Sequence, residues 1–296
     1  MFLKAVIRMA GTNEIRRHIA AVEQTKKITG AMEMVSSNRM RQVMGHIEQN
    51  REYFTGIRRT MRELLLTSQN VSHPYLEGRP RHHCTFVVIS GDKGLCGSHN
   101  SVVLNYSMGR INETPGASLI TMGQTAEEFF HARGRTPDIS YLGIVQDPTL
   151  AKAREVAEEM TYMFEHALTD DLRIIYTSFY GRARGSPVEF RLLPVRLHDY
   201  DDVTDAESLQ EIMYHPSAQA VLDLLIPQYV IGLVFGVMVQ AYASEHFARM
   251  NAMHSATTNA QEMLDRLRTQ YNLARQSAIT NELAEITGAA EVLRGH

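Results

Sequence analysis

From Asn13 to about Leu66 the chain has no proline and only three glycines. Apolar residues recur there at Ile15, Ile19, Val22, Met32, Val35, Val43, Ile47, Phe54, Ile57, Met61 and Leu64, mostly three, four or seven residues apart. That spacing predicts one apolar seam along a helix. Uninterrupted, the helix spans about 50 residues, or roughly 75 Å, more than the diameter of a small domain. Such a helix must project or lie against another long helix. A second candidate runs from Ser217 to about Glu291, broken only by Pro227. Ala248, Ala252, Ala256 and Ala260 form a stripe at spacing four, and Met263, Leu267, Tyr271, Ala274 and Ala278 continue the seam. The expected fold class is therefore α/β, with a long antiparallel coiled coil of the N- and C-terminal helices and a central Rossmann-like α/β domain. Its expected segments are 9–66, 67–205 and 206–296.

Charge supports that pairing. Residues 1–66 carry 12 Lys/Arg and 6 Asp/Glu, and residues 206–296 carry 5 and 9. A basic first helix against an acidic last one predicts attraction within the chain, with the apolar seam dominating and salt having little effect. The alternative use of the basic helix is nucleic-acid binding. The chain has 44% hydrophobic and 21% charged residues, ordinary for a soluble protein. Its two cysteines, Cys84 and Cys96, make no disulfide framework and fit a reducing setting. The first residues do not read as a cleavable signal. Val221–Ala243 holds one charge, Asp223, and is long enough to span a bilayer. Pro227, Gln228 and Gln240 interrupt it, so a buried core helix is the better reading.

Between the terminal helices the period changes. Strands are predicted at His83–Ser90, Ala117–Met122, Ile139–Val145, Leu172–Phe179 and Val188–Leu197, and helices at Thr125–Ala132 and Leu150–Ala167. This alternation predicts a parallel or mixed sheet. Asp199–Asp205 reads as an acidic linker. The loop Gly91-Asp-Lys-Gly94-Leu-Cys-Gly97 follows the first strand, where a dinucleotide fold binds phosphate. Its glycine spacing fits neither phosphate-binding fingerprint, and no acid ends the second strand. Gly91, Gly94 and Gly97 are therefore read as a structural turn. His82, His83 and Cys84 are adjacent on a strand and point to alternate faces, so no metal site is expected. No motif supplies a catalytic residue or a cofactor site.

Three segments in order carry a family resemblance: Met9–Ile19 with Lys26–Arg41 (KKITGAMEMVSSNRMR), Val88–Asn100 (VISGDKGLCGSHN), and Ala243–Asn259 with Tyr271–Glu285 (YNLARQSAITNELAE). Together they resemble the gamma subunit of rotary F-type ATP synthases over nearly the whole chain. The resemblance implies a non-catalytic central-stalk rotor, binding no nucleotide itself and needing no cofactor. Implied partners are the alpha and beta subunits of the catalytic hexamer, the epsilon subunit and the c-subunit ring. The implied location is peripheral, on the cytoplasmic face of the cell membrane. Met32, Arg249, Gln276, Thr280 and Glu282 match family positions near the contact with the catalytic ring, and are expected to share one neighbourhood.

The chain departs from the family pattern at a few places. His254 and Thr258 stand where many members carry lysine and aspartate. Gly30 replaces a better helix former, at a cost of about 1 kcal/mol. The cysteine-bearing insertion of chloroplast members is missing. Residues 1–8 precede the family's usual start at Met9. Deleting them is expected to leave assembly and ATP hydrolysis intact; loss of assembly in a copurification assay would show that they are structural.

Overall fold

The computed structural model describes residues 2–67, 73–76, 78–79, 83–179, 184–195 and 214–294, with side chains described for 12–45, 55–66 and, within the later segments, as far as 287. The expected acidic linker Asp199–Asp205 and His82 lie outside the described residues. Two helices account for the terminal segments: α1 (Phe2–Thr67) and α5 (Ala218–Arg294). Pro227 sits in the third turn of α5, where it removes one backbone hydrogen bond without ending the helix. The described chain forms two bodies, one from Met1–Val35 with Met250–His296 and one from Ser36–Arg249. The divisions fall inside the long helices rather than at 66 and 205.

In the first body the helices pair antiparallel. Glu33 meets His254, Thr29 meets Thr257, Lys26 meets Gln261 and Glu23 meets Arg268, one number rising as the other falls. Val22, Ala260, Leu264 and Leu267 are buried together, with Ile15 and Ile19 against them. This is the apolar seam predicted from spacing. The charges run opposite to expectation. The cross-helix ion pair described in this body, Arg268–Glu23, takes the acid from α1 and the base from α5, and the His254–Glu33 hydrogen bond has the same sense. Segment net charge is an average, and it does not specify which side chains the register brings together. The Arg268–Glu23 pair is about half exposed on both sides, so it contributes at most about 1 kcal/mol. The seam holds the pair.

The second body is built on a five-stranded sheet: β1 (Cys84–Ile89), β2 (Ser118–Met122), β3 (Ile139–Tyr141), β4 (Asp171–Thr177) and β5 (Pro187–Leu193). Its order is β3-β2-β1-β4-β5, parallel except for the antiparallel β5. That is the strand order of the doubly wound dinucleotide fold. Alternation along β1 divides the core. Phe86 and Val88 pack with Val103, Leu104 and Ile111 of α2 (His99–Asn112) and Ala126 and Phe130 of α3 (Gln124–His131). Val87 and Ile89 face the other layer, with Met160 and Phe164 of α4 (Leu150–Glu165), Met61 and Leu64 of α1, and the apolar run of α5. Leu222, Ile226, Val230, Val234 and Met238 are buried in that layer, which accounts for the long uncharged stretch without a bilayer.

Helix α2 is absent from the expected elements. Its Asn, Ser and Gly residues lower helix propensity, and Val102-Val103-Leu104 reads locally as strand. Burial of Val103, Leu104, Ser107 and Ile111 on one face supplies what propensity does not. β3 is shorter than expected, the other boundaries within the α/β segment lie within four residues of expectation, and α1 begins earlier, at Phe2.

On the α2 face, a polar network ties α2 to β4 and β5. Asp171 accepts from Arg173 at 2.7 Å and from Arg191 at 3.0 Å, while Glu189 accepts from Arg110 at 2.6 Å and Arg173 at 2.5 Å. Burial pushes both carboxyls up, but the arginine hydrogen bonds and charges outweigh it and hold each below its ordinary value. A carboxylate whose folded pKa is depressed stabilises the fold above its unfolded pKa of about 4, and that stability is lost as pH falls through the lower folded value. Asp171→Ala, which removes the carboxylate partner of the largely buried Arg191 and one of the two partners of Arg173, is expected to cost about 3 kcal/mol at pH 7. The difference from the unsubstituted chain should shrink as pH falls below about 4. Urea unfolding of the purified chains at both pH values measures it; an unchanged midpoint at pH 7 would mean the network contributes nothing.

Candidate functional site

The turn after β1 occupies the position at which the strand order reverses, between β1 and β4. In open α/β sheets that crevice holds the ligand. Several bonds shape the turn. The Gly91 N–H donates to Asn100 Oδ1 at 3.1 Å, and Asn100 Nδ2 donates to the Lys93 carbonyl at 3.2 Å. Asp92 Oδ1 accepts from the Gln124 N–H at 2.8 Å. Ser90 Oγ lies 2.8 Å from Thr125 Oγ1. Leu95 and Gly97 both have positive φ, 62° and 61°, which turns the chain sharply into α2. Leu95 tolerates this only with its side chain outside, 63% exposed. Gly94 faces open space.

The crevice is filled by the chain's own α5. A Cβ on Gly91 would lie 2.7–2.9 Å from the carboxyl group of Glu245. Arg249 binds that carboxylate, and also donates from Nε to the Gly94 carbonyl at 3.3 Å and from Nη2 to the Lys93 carbonyl at 3.2 Å. Phe247 meets Phe179, just past β4, edge to face. The turn therefore presents carbonyl oxygens to a cation where a phosphate-binding loop presents N–H groups to an anion.

Electrostatics follow from burial. It pushes the Glu245 carboxyl up, opposed by Arg249, with the net shift upward. His99 and His246 are pushed down to about 4, by burial first and then by the Arg249 charge. Both imidazoles are neutral at physiological pH. Among the described residues no group of three His, Cys, Asp or Glu is placed to hold a metal. His83 Nε2 bonds Ser118 Oγ at 2.8 Å, and burial raises the Cys84 thiol to about 11.

The remaining candidate residues lie in the paired-helix body. Met32 is half-buried, while its neighbours Met34 and Val35 are exposed. Gln276, Thr280 and Glu282 are exposed. The antiparallel register sets Met32 level with about residue 255, so these three lie about 21 to 27 residues further along α5, roughly 30–40 Å away. The structure does not gather Met32 and the three polar residues into one neighbourhood. Near the polar set, Leu273, Ile279, Leu283 and Ile286 are exposed apolar residues, an arrangement suited to a partner surface. The sequence reading missed Glu245. Its signal was the i, i+4 acid–base spacing with Arg249.

The fold defines a class: a Rossmann-like α/β domain carrying long terminal helices that pair with each other. A family model described as ATP synthase matches residues 11–293. The chain belongs to the ATP synthase gamma chain family. The gamma chain of Heliobacterium modesticaldum is 33% identical over 96% of this chain and all of its own length. That of Symbiobacterium thermophilum is 34% identical over 95% and 98%. Among solved structures, a chain from the OSCP/F1/c-ring part of Euglena gracilis mitochondrial ATP synthase superposes with a TM-score of 0.64 at 19% identity, covering 97% of this chain and 95% of that one. A rotor chain of the same enzyme gives 0.61 at 18%, covering 91% and 99%. At these identities the structures establish the shared fold.

If the exposed apolar residues serve a partner, they should be dispensable to the chain itself. Leu283→Ser combined with Ile286→Ser is expected to change the chain's unfolding free energy by no more than about 0.5 kcal/mol per site. A substantially lower urea midpoint would show that the chain buries them.

Proposed function

We propose that this chain is the central-stalk rotor of an F-type ATP synthase, coupling ion flow through a membrane ring to ATP synthesis and hydrolysis in a catalytic hexamer. Its partners are the alpha and beta subunits, the epsilon subunit and the c-subunit ring. It sits peripherally on the cytoplasmic face of the membrane and carries no catalytic group of its own. The observation that supports this most strongly is family membership along nearly the whole chain. The paired helices, with apolar and polar residues left exposed toward the end of α5, fit a part that works against neighbours. Rotation would bias conformations at sites in those neighbours rather than form bonds. The nucleic-acid alternative is not favoured. Copurification of alpha and beta subunits with the tagged chain tests the assignment; salt-sensitive nucleic acid in their place would overturn it.

Within this reading Met32, Gln276, Thr280 and Glu282 are the proposed coupling contacts, while Arg249, expected among them, is buried against the chain's own turn and would act through it. For Met32 the chemistry is specific. A sliding contact favours a flexible, uncharged, polarizable side chain. A lysine there would place an ammonium against acidic groups of the partner, and a partly desolvated ion pair exceeds the ~1 kcal/mol of an exposed one. One rotary state would then be held against the others. Met32→Lys is expected to assemble and hydrolyse ATP while moving fewer ions per ATP. Pumping and hydrolysis measured on the same membranes decide it, and an unchanged ratio would remove Met32 from the coupling contact.

A further inference from the structure

The switch-point crevice of the α/β body holds a side-chain pair, Glu245 with Arg249, whose acid has no expected role. Glu245 lies with its carboxyl group under Gly91, so close that a methyl group added there would push the carboxyl group aside. It is buried, with the side chain 10% exposed, and Arg249 is equally enclosed at 9%. Between them the two side chains touch three consecutive features of the turn: the backbone of Gly91, the Lys93 carbonyl and the Gly94 carbonyl.

We propose that Glu245 is a positioning residue, which seats the Arg249 guanidinium on the turn so that Gly91–Gly97 moves as one piece with helix α5. The inference rests on the rotor reading for its consequence and on the geometry for its mechanism. A guanidinium has five donors in a fixed fork. Two carbonyls accept from one edge of the fork, but carbonyls alone do not neutralise its charge. The Glu245 carboxylate, one helical turn back on the same face, supplies the opposite charge and removes the freedom of the arginine to swing. Among the described residues, Glu245 is the carboxylate that hydrogen-bonds Arg249; the imidazoles of His99 and His246 are neutral, and Asp92 lies near the pair but directs Oδ1 to the Gln124 N–H. Without the carboxylate, a buried cation remains with incomplete compensation, and Arg249 gains by leaving the turn for solvent.

The turn is the element this fold normally uses to hold a ligand. Here it holds α5 instead. A torque carried along α5 therefore reaches Leu95 and Lys93, exposed at the tip of the turn, through a charged clamp and not only through apolar packing. Gly91 leaves room for the same carboxyl group. Its backbone is not in the left-handed region; the constraint is the space that the Glu245 carboxyl occupies.

The test uses the full chain assembled with its alpha, beta, epsilon and c subunits in membrane vesicles. Two quantities are read: amide hydrogen exchange at residues 92–97, and ions pumped per ATP hydrolysed. Glu245→Ala is expected to speed exchange of the turn at least tenfold, leave the β1 and α2 amides unchanged, and lower the pumping ratio at least threefold with hydrolysis retained. Glu245→Gln keeps an acceptor oxygen for Arg249 but removes the charge, and is expected to shift both readings in the same direction as Glu245→Ala by a smaller factor; no change in either reading would overturn the role of the charge. Gly91→Ala should reproduce the defect, yet add nothing on a Glu245→Ala background, where the clash is gone. If Glu245→Ala does not assemble, Gly91→Ala provides the same readings with both charges kept. Unchanged exchange overturns the clamp. Faster exchange with an unchanged pumping ratio overturns the positioning role. If the unsubstituted chain binds no alpha or beta subunit, the rotor reading fails separately, and exchange on the chain alone still tests the clamp.

Discussion

Burial of the apolar run of α5 in the α/β core is the interaction on which the remaining structure depends. Leu222, Ile226, Val230, Val234 and Met238 are fully or almost fully removed from solvent, each contributing about 1.5–3 kcal/mol. They are joined by Met61 and Leu64 of α1 and by Met160 and Phe164 of α4. A helix of 77 residues needs no partner along its whole length if one third of it is fixed this firmly. The far third is then free to expose Leu273, Ile279, Leu283 and Ile286, which an ordinary soluble domain would cover.

The same burial changes what the Rossmann-like sheet can do. Its strand order creates a crevice between β1 and β4, and α5 delivers Glu245, Phe247 and Arg249 into it. The fold keeps the geometry of a ligand site while its own helix occupies the place of the ligand. Carbonyl oxygens face inward there, so the local chemistry favours a guanidinium over a phosphate. Fold class alone would have pointed to nucleotide binding. The polarity of the turn argues the opposite.

Much of this was legible in the sequence because long, regular patterns are the strongest signals a chain offers. The seam from Ile15 to Val22 and the stripe ending at Ala260 gave the antiparallel pair. The alternation of apolar runs gave the sheet. Four things were not legible. Helix α2 is held by burial of Val103, Leu104 and Ile111 against the sheet, and local propensity does not carry tertiary packing. The sign of the cross-helix ion pair depends on register, which segment charge does not encode. The destination of Arg249 depends on where the β1 turn lies relative to α5, a contact between residues 155 positions apart. The separation of Met32 from Gln276, Thr280 and Glu282 likewise follows from antiparallel register, and matched motifs carry no such distance.

The central claim is that this chain turns, and that its α/β body turns with α5. The most direct measurement fixes alpha and beta subunits to a surface, attaches a probe to the α/β body through a cysteine replacing the exposed Leu142 in a chain whose Cys84 and Cys96 are replaced by alanine, and follows the probe while ATP is supplied. The account predicts continuous rotation in one direction that stops when ATP is exhausted. ATP hydrolysis at an undiminished rate with a stationary probe would contradict it.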